Sequence, residues 1–125
     1  MNYKRFYELD VYRKNRQFRN EVYLISQNHF PECEKFLLKD QILRSSRSVT
    51  ANLAEGIGRH YFQDNIRFCR LARGSLEETL EHLIVAYDRQ YISEALLKGL
   101  KIKQDRCLLL INGYIRHLKT KKDRP

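Results

Sequence analysis

Residues 41–59 read QILRSSRSVTANLAEGIGR, and the spacing within this stretch decides the fold. Leu38, Ile42, Ser46, Val49, Leu53 and Ile57 recur at helical intervals and form an apolar stripe with one small polar member. Gln41, Ser45, Ser48, Asn52 and Glu55 form a second stripe of short or amide-like hydrogen-bonding side chains that ends on a carboxylate. Arg44 and Arg47 occupy a third face, with Lys39 about a turn and a half earlier. A solvent-facing helix would carry Lys and Glu where this one carries Ser, Ser and Asn. Ser and Asn are mediocre helix formers, because their side chains compete for the backbone. The expected compensation is a second helix that approaches closely over the small side chains and hydrogen-bonds across the contact. The stretch is therefore read as a central helix touched on more than one side. The partner of its polar stripe is either another helix of the same chain or another subunit.

Working outward, four helical segments emerge. The first starts near Asp10, a plausible N-cap, and ends before Phe30-Pro31, with Val11, Tyr12, Phe18, Val22 and Ile25 on its buried face. The second is expected just after Pro31, with Glu32 and Glu34 in a first turn whose dipole favours anions, and it ends at Gly56–Gly58. The third starts near Gln63-Asp64 and buries Ile66, Cys69, Ala72, Leu76, Leu80, Leu83 and Tyr87. The fourth starts at Ser93, with Leu96, Leu97, Leu100, Leu108, Ile111, Ile115 and Leu118 inward. Short connections between long helices imply an all-α, up-down-up-down antiparallel four-helix bundle. The 125 residues form a single domain, with a frayed basic tail from about residue 119.

The composition narrows the function classes. No apolar run reaches the ~18–20 residues of a membrane span. The opening MNYKRFYELD lacks the apolar segment of a signal peptide. Cys33, Cys69 and Cys107 are odd in number, widely spaced and in no CxxC pair, which argues against a disulfide framework or a zinc site and suits a reducing, cytoplasmic location. Net charge is +9 and the pI about 9.6, a balance that favours a polyanionic partner.

The topology gathers charge at one end. Residues 1–16, 44–73 and 112–125 share a pole that holds sixteen Lys/Arg against five Asp/Glu, a net of +11. The other half holds eight bases and ten acids, a net of −2. Arg67, Arg70 and Arg73 precede Glu77, Glu78 and Glu81 within the third helix, which shows the same polarity. Tyr3, Phe6, Tyr7, Tyr12, Tyr61, Phe62 and Tyr114 fall in the basic half. A phosphate-backbone surface with a few stacking rings would look like this. So would a solvated basic face above core aromatics, and core is the expected place for most of those rings.

Catalytic constellations are missing. No His has a Glu three residues before it, as paired di-metal bundle motifs require, and Glu78/His82 is a single i,i+4 pair read as a surface contact. His29, His60 and His117 are isolated. Ser45, Ser48 and Glu55 have no base placed beside them in sequence and are read as structural. The glycines of GIGR end a helix, whereas phosphate-cradling loops begin one. Cys69 and Cys107 fall on core stripes as small buried hydrophobes. No enzyme, metal or cofactor is expected.

Taken in order, FYELDVYRKNRQF, FPECEKFLLKDQILRSSRSVTANLAEGIGR, IRFCRLARGSLEETLEHLIVA and INGYI form a familiar set. The chain resembles the bacterial four-helix-bundle family that includes proteins encoded in intervening sequences of 23S rRNA genes. The accessory variability proteins of diversity-generating retroelements are more distant members. Gln41-Ile42 with Arg44, Ser48, Asn52 with Ala54-Glu55-Gly56, and Ala72 with Gly74-Ser75-Leu76-Glu77 carry the resemblance. It implies an up-down bundle, a homopentameric ring and no established enzymatic activity. From the retroelement relatives it implies association with nucleic acid and with a reverse transcriptase.

The combined expectation is a non-enzymatic, oligomeric, basic accessory protein that binds RNA or DNA. Arg44, Arg47, Arg59, Arg67, Arg70 and Arg73 are the expected phosphate contacts, together with Lys119, Lys121 and Lys122. Gln41, Ser45, Ser48, Asn52 and Glu55 are the expected structural or subunit contact. The alternative is a ring that scaffolds a protein partner, such as a reverse transcriptase, without touching nucleic acid itself.

Overall fold

The computed structural model describes residues 4–121. Their regular structure is helical throughout: α1 (Asp10–His29), α2 (Leu38–Ile57), α3 (Phe62–Asp88) and α4 (Glu94–Lys119), with short 3-10 turns at Phe6–Glu8 and Glu32–Glu34. The register of contacts shows that neighbours run antiparallel. Ser45 meets Thr79, Ser48 meets Ser75 and Gly56 meets Asn65 and Phe68, so α3 numbers fall as α2 numbers rise. Glu77 with Gln104 and Asn65 with Tyr114 give the same sense between α3 and α4. Lys14 with Cys107 and Glu21 with Lys103 give it between α1 and α4.

Val22, Ile42, Leu53, Ile66, Leu76, Leu83, Leu100 and Ile111 are essentially sealed from solvent. Each such aliphatic side chain contributes about 1.5–3 kcal/mol on burial. The stripe along α2 is inward as its spacing requires: Leu38, Ile42, Ser46, Val49 and Leu53 are buried, and Ile57 is half-buried. Ser93 caps α4, its Oγ accepting from the Leu96 amide at 3.1 Å.

Three sequence expectations are corrected. The second helix begins at Leu38 instead of directly after Pro31. Glu32–Glu34 closes a 3-10 turn, and Leu37, at φ −118° and ψ −105°, separates it from α2. Glu34 still serves the helix terminus, because its Oε1 accepts from the Leu38 amide at 3.2 Å. Asp10 is the first helical residue of α1, and Leu9 is the N-cap. Tyr87 is exposed and Leu80 half-buried, while Thr79 and Ala86 take buried positions on α3. Asn15, Asn65, Thr79 and Gln104 are polar residues of the interior that hydrophobic periodicity does not reveal.

The α2–α3 turn depends on a close approach. A Cβ on Gly56 would lie 2.7 Å from Phe68 Cβ and 2.8 Å from Asn65 Oδ1. Glycine is required there by packing, and this proximity brings the cations of the turn alongside Phe68.

Candidate nucleic-acid interface

The polar stripe of α2 finds its partner within the chain. Ser45 Oγ lies 2.8 Å from Thr79 Oγ1, and Ser48 Oγ lies 2.8 Å from Ser75 Oγ. Asn52 Nδ2 donates to the Ser48 carbonyl at 2.9 Å and to Ser48 Oγ at 3.0 Å. Thr79 also donates to the Ser75 carbonyl at 2.9 Å, so the short side chains form a hydrogen-bonded ladder between two closely packed helices. Gln41 and Glu55, at the ends of the stripe, are exposed. Outside the ladder, Gln41, Arg44, Ser45, Ser48, Ser75, Glu78 and His82 line an open groove.

The predicted arginines take up different positions. Arg44 borders the α2/α3 groove, with Asp40 4.0 Å away and most of its side chain in solvent. Arg47 lies on the opposite side of α2, in a groove shared with α1. Arg59 is tied down: it donates to Glu55 at 2.8 Å and sits over the Phe68 ring, 4.9 Å from the centroid. Arg67 sits over the same ring at 4.8 Å, with Asp64 at 4.0 Å. Arg70 is exposed and has no ion pair among the described residues. Arg73 reaches across to α4, donating to Asn112 Oδ1 at 2.8 Å. Lys119, the last residue of α4, and Lys121 just beyond it are exposed, and Lys122 lies outside the described residues.

In α2, Leu38–Ile57, Arg47 falls at the middle and Arg44 in the second turn. The cations therefore form a band that runs from the turn to about half the bundle length. At 1.5 Å per residue, Arg47 is roughly 15 Å from the α2 C-terminus. The structure brings Arg59 and Arg67 together at Phe68 and places Arg44 and Arg47 on separate grooves. Of the aromatics in the basic half, Tyr7 and Tyr61 are exposed and Phe6, Tyr12, Phe62 and Tyr114 are half-buried; Tyr3 lies outside the described residues.

Sequence reasoning missed Arg19. Its Nη1 donates to Thr50 Oγ1 at 3.0 Å, and its Nε and Nη2 donate to Asn20 Oδ1 at 3.3 and 3.1 Å. Its partners are neutral oxygens, so its charge is held in place without being cancelled. The contact depends on Thr50 at a position only the tertiary fold supplies, although Asn20 beside Arg19 is a local hint.

The remaining reactive groups are quiet. Burial pushes the Cys69 thiol up to about 11 and the Cys107 thiol up to about 12, which keeps both protonated at neutral pH. The Tyr91 hydroxyl donates to Glu34 Oε2 at 2.7 Å, and this bond, with desolvation, pushes its pKa up to about 12. Burial raises that of Tyr114. His82 contacts Glu78 at 3.2 Å. Among the described residues no group of three or more His, Cys, Asp or Glu is placed to hold a metal ion. No helix among them is long and apolar enough to cross a membrane.

Fold and surface together define a basic antiparallel four-helix bundle with a polar ladder between its second and third helices. The family model for 23S rRNA-intervening sequence proteins matches residues 7–113, and the chain belongs to that family. The fold is also that of a protein of unknown function from the S23 ribosomal protein family of Bacteroides thetaiotaomicron VPI-5482, known from a crystal structure. That structure superimposes with a TM-score of 0.77 at 23% identity, covering 85% of this chain and 95% of the other. No curated protein matches the chain.

Proposed function

We propose that the protein is a non-enzymatic, oligomeric accessory protein, a homopentameric ring, that binds the RNA or DNA backbone in the cytoplasm. The observation that carries this reading is the exposed cation band. Arg47 and Arg70 have no ion pair among the described residues, and Arg44 and Arg67 have carboxylates only at 4.0 Å. Exposed pairs at that distance contribute little, so these guanidiniums are available to phosphate. The family description, which refers to 23S rRNA intervening sequences, supports an RNA-related role. Repetition of weak phosphate contacts around a ring raises the effective concentration of each.

The test is a salt titration of binding to mixed-sequence RNA and DNA. Four phosphates neutralised per bound protomer give a log–log slope of about −3 on single strands, with little sequence preference. Undetectable binding at low salt sinks the reading. Light scattering is expected to give about five times the 15.1 kDa of one chain, and a monomer removes the ring.

The second reading, a ring that scaffolds a protein such as a reverse transcriptase, draws on Ile102 and Leu109. They are two turns apart on α4 and both exposed, two apolar contacts on either side of Asp105 and Arg106 that a partner or a second copy could cover. Co-purification with a partner that survives nuclease and high salt favours it.

A further inference from the structure

We infer that the groove between α1 and α2 seats one nucleotide of a single strand, with its phosphate between Arg19 and Arg47 and its base on the Tyr23 ring. This inference rests on the nucleic-acid reading and specifies the form of ligand. The groove is lined by Arg19, Asn20, Tyr23, Leu43, Ser46 and Arg47 and has a volume of about 390 Å³, within the range of small-ligand sites.

Its charge is prepared in an unusual way. Thr50 Oγ1 donates its proton to the Arg47 carbonyl at 3.3 Å, which leaves a lone pair for Arg19 Nη1. With Asn20 Oδ1 taking Nε and Nη2, three of the five guanidinium N–H donors are used and two remain. A guanidinium fixed by neutral oxygens keeps its full charge and has already lost most of its rotamer freedom. Arg47, in the same groove, has no ion pair among the described residues. No Asp or Glu lines the groove, and Glu21, the acid nearest Arg19 in sequence, pairs with Lys103. Two cations in one groove with no counter-ion call for an anion, and their forked donors suit phosphate.

Tyr23 specifies the rest of the ligand. It lies one turn beyond Arg19 on α1, 42% exposed, with Gln27 Nε2 donating to its hydroxyl at 3.2 Å. A tethered, solvent-facing ring beside a phosphate seat is a platform for a base, and only an unstacked base can reach it. Duplexes keep their bases stacked and would meet only the outer cation band.

The sequence has no tryptophan, so Tyr23→Trp gives the full-length protein a single reporter. Mixed-sequence single-stranded RNA or DNA is expected to quench its emission, while a duplex of equal length leaves it unchanged. By anisotropy, Tyr23→Ala should weaken single-strand binding about tenfold and leave duplex binding within twofold, whereas Arg47→Gln should weaken both. Both side chains are exposed, and circular dichroism confirms that the variants fold. Absent quenching, or unchanged single-strand affinity in both variants, overturns the inference while nucleic-acid binding itself stands. Failure of the unmodified protein to bind either polymer at low salt overturns both.

Discussion

Ser48 Oγ and Ser75 Oγ lie 2.8 Å apart, which joins the middle of the α2 polar stripe to α3 of the same chain. The Ser48 hydroxyl also accepts from Asn52, so it is committed on two sides. Ser48→Glu should therefore destabilise the protomer, by about 1–3 kcal/mol, because the larger, charged side chain loses both bonds and crowds Ser75. Chemical denaturation of the variant checks this. A variant as stable as the parent but newly monomeric would place the stripe at a subunit contact instead.

Glycine substitutions should differ in sign along the chain. Gly56→Ala adds a Cβ within 2.7 Å of Phe68 Cβ and should cost about 1–3 kcal/mol despite the better helix propensity. Gly74→Ala and Gly99→Ala meet nothing within 4 Å and should stabilise by about 0.5–1 kcal/mol. Thermal melting of the three variants decides the point; a stabilised Gly56→Ala would contradict the close approach.

Leu53 is fully buried, and Leu53→Asp places an unpaired carboxylate in the core. A loss of several kcal/mol is expected, enough to abolish the cooperative melt. Far-UV circular dichroism of the purified variant reads this directly.

Thiol chemistry should divide the cysteines. Cys33 is exposed, whereas Cys69 and Cys107 are buried with pKa values of about 11 and 12. At pH 8 a thiol reagent should modify one cysteine quickly and the other two only on unfolding. Their folded pKa values lie above the ordinary value of 9.0, so the unfolded chain releases these protons first as pH rises. The stability that burial of the protonated thiols contributes is complete below pH 9 and is lost between about 9 and 12. Cys69→Ala/Cys107→Ala, compared with the parent in an alkaline denaturation series, should show a shallower decline over that window.

The legibility of the chain follows the range of the interactions. The four helices and most of the apolar faces were readable because periodicity is a local signal: Ile42, Val49 and Leu53 are inward as their spacing requires. Gly56 was readable as the end of a helix, but its clash with Phe68 was not, since that depends on how α3 crosses. The start of α2 was misplaced because Pro31 followed by acids imitates a helix start, while the Leu37 backbone delays it. The serine–asparagine stripe announces a close helix contact, and only the tertiary fold identifies α3 as the partner. The cations were countable from the sequence, but their sides were not. Arg44 and Arg47 differ by three residues and face different grooves, and Arg19 matters only because Thr50 arrives opposite it.

Glu34 has a further consequence for how the molecule breathes. One of its oxygens receives the Leu38 amide and the other the Tyr91 hydroxyl, 57 positions along the chain. The two crossovers at that extremity are buttoned by a single carboxylate, so neither can swing out without releasing the other. Their amide protons should exchange with water in concert, as one cooperative unit.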